Sequence, residues 1–297
     1  MSRHDRVDRD LDILETHETD PLTAFEGDLP AGTRTPSALR LRFDRYLPAL
    51  VLFFIVLVAW EGLTRLLDVD SFILPKPTEI AGKLIDNLDV IWGAAVNTLI
   101  EAIGGFVAGV SLGVAVALAT VRWAAAREGL MPFAIAANSI PIIAIAPITN
   151  AMFSLTSPVS KMAVVAIVVF FPVMINTARG LTEVDPAEIE LMRSYASSPR
   201  TVLARVRIPN ALPYFFSSLK VASALSIIAA IVAEYFGGPQ DVLGQYIVSK
   251  AQLFAFPSAW AAIVVASAIG IAFYGLILLA ERVFMPWHIS FRAADDR

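Results

Sequence analysis

The chain has no cysteine. Disulfide stapling, thiolate nucleophiles and cysteine-ligated metals are therefore excluded together. Histidine is nearly as scarce: His4, His17 and His288 are all there is, and none lies in an apolar block. A Ser–His–Asp relay or a histidine-held metal inside a membrane goes with them, and no metal site is expected. Charged residues make up only 17% of the chain. No basic, aromatic-interleaved cluster occurs, so nucleic acid is not an expected partner. Nor is there a G-x-x-x-x-G-K-[ST] loop, so the chain cannot cradle ATP phosphates in that way. Near Met1 there is no apolar run of the kind a cleaved signal peptide needs.

What remains is apolar. The 297 residues are 57% hydrophobic, with a mean hydropathy of +0.66. A soluble fold of that size would expose too much apolar surface, so the fold class is an all-α membrane protein. Six transmembrane helices are expected, at about 47–67, 97–121, 129–153, 161–178, 214–236 and 258–284. A polar tail, 1–46, precedes them: acidic early, basic late (Arg34, Arg40, Arg42, Arg45), cytosolic and largely disordered. The membrane domain is 47–288, and 289–297 is a short cytosolic tail. Two amphipathic surface helices are expected between spans, at 79–88 and within 241–256.

The second span carries Gly105 and Gly109 in a G-x-x-x-G pair, which permits close helix packing and is common in any membrane bundle. The third span holds Pro132, Pro141 and Pro147 among Asn138, Ser139, Thr149 and Asn150. Prolines free backbone carbonyls and kink a helix, so this one should face protein or a watery path. The fifth adds Ser223 and Ser226, with Glu234 near its outer end.

Between the fourth and fifth spans lies a polar interruption, part of a loop spanning 179–213. Asp185 can cap a helix beginning at Pro186, with Glu188 in capping-box position. Ile189, Met192 and Tyr195 then share one face. Ser198 and Pro199 start a second short helix, and Pro209 and Pro213 punctuate the approach to the next span. Two amphipathic helices tethered at both ends suit docking into a partner's groove or resting on the membrane surface.

Lysine and arginine decide the orientation. One side carries seventeen of them, counting the tail, 122–127, 179–207 and the C-terminal end. The other carries five: Arg65, Lys76, Lys83, Lys161 and Lys250, with Lys220, inside the fifth span, left out of the count. The positive-inside rule puts both termini and the 179–213 loop in the cytosol.

This loop resembles the signature loop of ABC importer permeases, E-A-A, three residues, G, nine residues, I-x-L-P. Glu190-Leu191-Met192 stands for E-A-A, Ala196 for the glycine, and Val206-Arg207-Ile208-Pro209 for I-x-L-P. With alanine in the glycine's place, a less bent turn is expected. Over roughly 47–288 the chain is similar to the nitrate/sulfonate/taurine branch, through Leu74-Pro75-Lys76-Pro77, Ile140-Pro141-Ile142, Phe171-Pro172-Val173, Ala211-Leu212-Pro213 and Val232-Ala233-Glu234. The later stretch, Ala233 to Gln240 through Leu243-Gly244-Gln245-Tyr246 to Met285-Pro286-Trp287-His288, looks closest to pyrimidine-precursor and riboflavin importers.

The resemblance implies a type I importer permease. It further implies a homodimeric pore, two cytosolic ATPase subunits holding ATP and Mg, an extracytoplasmic binding protein, surrounding lipid, and no enzyme activity or cofactor in this chain. Glu190, Met192, Arg193, Ala196 and Pro199 would meet the ATPase, with Pro209 as the elbow that transmits its motion. Asn138, Ser139, Asn150, Ser223, Ser226 and Glu234 are the candidates for the translocation path. With no Lys, Arg or His expected near the middle of that path, a neutral or weakly charged solute is favoured. Glu234 could equally be a helix-end carboxylate satisfied by backbone N–H groups. An ion-coupled carrier is the alternative, but it wants ionisable groups at mid-membrane and paired repeats. A membrane enzyme would want catalytic groups that are missing.

Overall fold

The computed structural model describes residues 38–137 and 139–286. The expectations for 1–37, Asn138 and 289–297 lie outside the described residues. The chain divides after Leu57 into two compact units. Helix α1 runs Ala38–Leu66, so the basic stretch read as the end of a tail is already helical from Ala38. Of the first unit, Leu50 to Val56 are exposed, as side chains facing lipid are.

The second unit begins at Val58. Its elements are α2 (Pro77–Asp86), α3 (Leu88–Arg122), α4 (Ala124–Ala137), α5 (Ile142–Phe153), α6 (Pro158–Thr182), α7 (Pro186–Ser194) and α8 (Pro199–Val202). A wide turn (Leu203–Arg207) leads into α9 (Ile208–Tyr235), and α10 (Leu243–Gln252) and α11 (Phe256–Phe284) complete the unit. Among the described residues there is no strand, and five helices are long and apolar enough to cross a membrane.

The third expected span is not one of them. It is two shorter helices, α4 and α5, separated at 138–141. The cause is Pro141, which lacks an N–H and pushes Ile140 away from helical backbone. The Ser139 and Ile140 N–H groups close the last turn of α4 onto the Ala136 and Ala137 carbonyls, both at 3.1 Å. Pro132 and Pro147, by contrast, sit inside continuous helix.

The centre of the bundle is α3 against α6. Gly105 and Gly109 make that contact: a Cβ on Gly105 would lie 2.4 Å from Val165 Cβ, and one on Gly109 would lie 2.6 Å from the Ala166 carbonyl. The G-x-x-x-G pair therefore packs two helices of one chain. Val164, Val165, Val169 and Val173 on α6 meet Ala102 and Phe106 of α3 and Ala222, Ala229 and Ala230 of α9 in one buried core. In a bilayer, close van der Waals packing of this kind holds helices together, because lipid tails are as apolar as the side chains. On α6, Asn176 Nδ2 donates to the Pro172 carbonyl at 2.8 Å.

Further out, Trp60 packs edge-on against Trp260, with ring centroids 5.5 Å apart. Toward the other end, Lys220 of α9 donates to both oxygens of Glu281 of α11 at 3.0 Å. The charge of Lys220 is thus neutralised by a partner in reach of bidentate hydrogen bonding.

Candidate functional site

The 185–210 segment is built from short-range capping. Asp185 Oδ1 accepts the Ala187 N–H at 2.9 Å and starts α7. At the other end, the Ala196 N–H donates to the Arg193 carbonyl (2.9 Å) and the Ser197 N–H to the Met192 carbonyl (3.0 Å). This two-bond closure ordinarily places glycine in left-handed backbone. Here Ala196 takes that conformation itself, with φ +49°. The expected relaxation of the turn does not occur: the tight turn is kept, at about 1–2 kcal/mol of local strain from the Cβ. Ser198 Oγ then accepts the Thr201 N–H at 3.2 Å and starts α8.

Beyond this point the chain stays helical through Pro209, the residue expected as the elbow. Backbone dihedrals at Val202, Leu203, Arg207 and Ile208 are all right-handed helical, and the chain is one helical rod from Pro199 to Tyr235. The irregularity lies just before the proline, where the Ile208 N–H reaches back five residues to the Leu203 carbonyl. Pro209 has no N–H for the Arg205 carbonyl, and its ring would collide with that carbonyl in a regular turn. Widening by one residue resolves the collision without breaking the helix.

Two side chains fasten this rod to α6. Arg207 Nη1 donates to the Leu181 carbonyl at 2.8 Å. Asn210 Nδ2 donates to the carbonyls of Gly180 (2.8 Å) and Glu183 (3.0 Å). These are among the carbonyls left over at the end of α6. Gly180 permits the approach, since a Cβ there would sit 2.7 Å from Ala211 Cα. No residue of α7 is buried. Leu191 is 55% and Tyr195 73% exposed, and Glu190, Arg193 and Pro199 also face outward, with Met192 half-buried.

The path candidates lie elsewhere. Ser139 is exposed. Ser223 and Ser226 are fully buried, their hydroxyls donating to the Lys220 and Ser223 carbonyls at 2.8 Å. Asn150 Oδ1 accepts from Ser160 Oγ at 2.9 Å inside the protein. Glu234 is also fully buried, and its Oε2 accepts the Gly244 N–H at 2.6 Å. Within one chain, then, these four side chains are packed among its own helices. For Glu234 the helix-end reading is the one the geometry matches.

Around Glu234 lies a cluster that sequence reasoning did not assemble. Glu101 and Lys161 are buried beside it, and Lys161 Nζ donates to the Leu155 carbonyl. Lys161, counted above among charges facing the exterior, is inside the protein, so four remain on that face. Thr98 Oγ1 accepts the Leu243 N–H at 2.9 Å. On the same side, Glu79 of α2 is held below the usual carboxylate range, chiefly by the Ser71 hydroxyl at 2.6 Å and with help from Lys76. Burial pushes the Tyr246 phenol up. No three His, Asp or Glu among the described residues are placed to hold a metal.

A helical membrane unit with an exposed hairpin fastened between two of its helices fits the resemblance to a transport permease. The comparisons agree. Residues 105–284 match the family described as binding-protein-dependent transport system inner membrane component. The chain is 30% identical over 244 residues to the riboflavin transport system permease protein RibX of Chloroflexus aurantiacus, covering 81% of this chain and 90% of that one. It is 29% identical over 238 residues to the formylaminopyrimidine transport permease protein ThiX of Halalkalibacterium halodurans, covering 80% and 94%. Its fold is similar to that in a crystal structure of an amino acid ABC transporter, with a TM-score of 0.55 at 15% identity over 67% of this chain and 96% of the other.

The chain belongs to the binding-protein-dependent transport system inner membrane component family. It is a multi-pass inner-membrane permease component of an ABC importer of small solutes.

Proposed function

We propose that two copies of this chain form the path by which a small heterocyclic solute, a pyrimidine precursor or a riboflavin-like molecule, enters the cell. An extracytoplasmic binding protein delivers the solute, and two separate ATPase subunits, binding ATP and Mg, supply the force. The relatives named for riboflavin and formylaminopyrimidine support that substrate class; sulfonate and nitrate permeases are more distant, at 25% identity. Lys220, inside α9, carries its own counter-ion, so its charge is not free to attract an anion.

The observation that carries the reading is α7. It is a short helix without a buried residue, rigidly capped at both ends and presenting Leu191 and Tyr195 to the outside. Such an element is preformed for a groove on a partner. Glu190, Met192, Arg193, Ala196 and Pro199 form the ATPase contact in this proposal. Pro209 acts through the widened turn before it, by keeping the rod continuous. The charge distribution, now seventeen basic residues against four, supports a cytosolic position for this hairpin and for both termini. Ser139, at the break between α4 and α5, is the described path candidate with an exposed side chain.

The test is purification of the chain with its separately encoded ATPase, followed by ATP-driven uptake of riboflavin and formylaminopyrimidine in proteoliposomes. Glu190→Lys is expected to weaken ATPase retention and lower uptake at least about tenfold, since a charge reversal in a docking face costs on the order of 1.4 kcal/mol or more. Uptake that persists without the ATPase and collapses with a protonophore would overturn the reading.

A further inference from the structure

The end of α9 remote from the hairpin is joined to α10 in an unusual way. Val242, at the start of α10, supplies no side-chain cap. The first N–H groups of that helix are instead accepted by other helices: Leu243 N–H by Thr98 Oγ1 of α3 (2.9 Å), and Gly244 N–H by Glu234 Oε2 of α9 (2.6 Å). The exchange is reciprocal, because Gln245 Nε2 donates to the Glu234 carbonyl at 2.6 Å, satisfying a group left over at the end of α9. Asn97 Nδ2 adds bonds to the backbone oxygen (2.8 Å) and carboxylate (3.0 Å) of Asp241.

The approach is so close that only glycine fits. A Cβ on Gly244 would lie 2.6 Å from Glu234 Cβ and 2.7 Å from the Ile231 carbonyl. Thr98 is 1% exposed and Glu234 fully buried, so water does not compete for these bonds. From α9 the helical path continues back through the wide turn and α8 to Pro199 at the hairpin. At about 1.5 Å per residue, these 37 residues together make a rod of roughly 55 Å.

We propose that Glu234 and Thr98 are positioning residues for transport. By capping α10 from α9 and α3 they make it one rigid body with the rod, so that movement of the hairpin is delivered to α10 at the opposite end. α10 is followed directly by Leu253 and Phe254, each 72% exposed, so the delivered movement displaces an apolar outer surface. This rests on the importer reading and extends it: the carboxylate of Glu234 works as a buried hydrogen-bond acceptor, with no part in contacting solute.

Absence of cysteine makes the test direct. Spin labels at Ser217→Cys on α9 and Gln252→Cys on α10, both exposed positions, report the spacing of the two helices in the complete reconstituted transporter. Spacing is compared between nucleotide-free protein and protein trapped with ATP and vanadate. With the joint intact, it stays the same in both states. Glu234→Leu is expected to broaden the distance distribution and lower uptake of riboflavin or formylaminopyrimidine roughly tenfold, while ATP turnover changes by less than about twofold. Glu234→Gln keeps an acceptor for the Gly244 N–H and retains uptake and spacing.

Should Glu234→Leu fail to insert, the near-isosteric Thr98→Val removes the other acceptor and is read in the same way. A spacing that changes on trapping in the parent overturns the proposal. So does a glutamine variant as impaired as leucine, or a leucine variant indistinguishable from the parent. A parent chain that never retains the ATPase sinks the importer reading instead; one that retains it while α10 moves apart from α9 sinks this joint alone.

Discussion

The two ends of the rod from Pro199 to Tyr235 are held by opposite means. At the hairpin the caps are local: Asp185 bonds two residues ahead and Ser198 three ahead, and every residue of α7 stays outside the core. At the far end the caps are remote. Thr98 reaches a residue 145 positions away in sequence, and Thr98 and Glu234, the two acceptors at the centre of the joint, are buried. Local capping makes an element rigid without covering it, which is what a docking surface needs. Remote capping sacrifices the surface and instead ties helices into one body.

The sharpest way to break that contrast is Gly244→Ala. Its methyl would be driven into the Ile231 carbonyl and Glu234 Cβ, neither able to withdraw, and a loss of about 1–3 kcal/mol is expected as a lower melting temperature in detergent. Gly93→Ala is the control: nothing lies within 4 Å of that position, and alanine there should be neutral or stabilising by up to about 1 kcal/mol. Equal melting temperatures for the two variants would mean that the outer joint is no tighter than an open helix face.

Next in size is Asn210→Leu, which tests one of the two remote fastenings at the hairpin end, the other being Arg207 on the Leu181 carbonyl. It strands the Gly180 and Glu183 carbonyls. Because both are partly hydrated, a loss of about 1 kcal/mol is expected, below that of Gly244→Ala. The expected signature is faster hydrogen exchange at the end of α6, with the outer joint unchanged.

The same contrast explains what the sequence could and could not say. Caps, the hairpin and most apolar runs were legible, because Asp185-Pro186 and Ser198-Pro199 announce helix starts within four residues. Glycines at 105 and 109 announced a close approach but not its partner. Where one physical effect answered another, reading in series failed. Pro141 separates α4 from α5 while Pro132 and Pro147 sit inside those helices, and the chain stays helical through Pro209 because the preceding turn widens. The buried cluster of Glu101, Lys161 and Glu234 could not be seen at all: each residue lies near the end of its own apolar run, where a charge is ordinarily taken to be hydrated. Lys220 and Glu281 could have been sought as a pair, since a lone cation in such a run demands a counter-ion.

A smaller effect is expected at Ala196. Glycine there removes the Cβ strain but adds freedom to the unfolded chain, two terms of about 1–2 and 0.4–1 kcal/mol. Their difference predicts that Ala196→Gly stabilises the hairpin by about half a kcal/mol. Slower exchange of the Ser197 amide would register it, with no change in global melting. Faster exchange would show that the alanine turn is not strained.

The smallest effect lies at Ser71 and Glu79, in the segment before α2 and in α2 itself. The serine hydroxyl lowers the folded-state pKa of the carboxyl below its unfolded value. The stabilisation it provides is therefore fully present above the unfolded carboxylate pKa of about 4.3 and is lost as pH falls through the lower folded value. Ser71→Ala should cost at most about half a kcal/mol at neutral pH, because the Glu79 side chain is 34% exposed and its charge well screened. The gap between parent and variant should then shrink as the pH is taken below 4. A constant gap across that range would assign the serine's effect to packing; a vanishing one assigns it to the ionised carboxylate, which the outer joint around Glu234, sealed from water, has no comparable means to reveal.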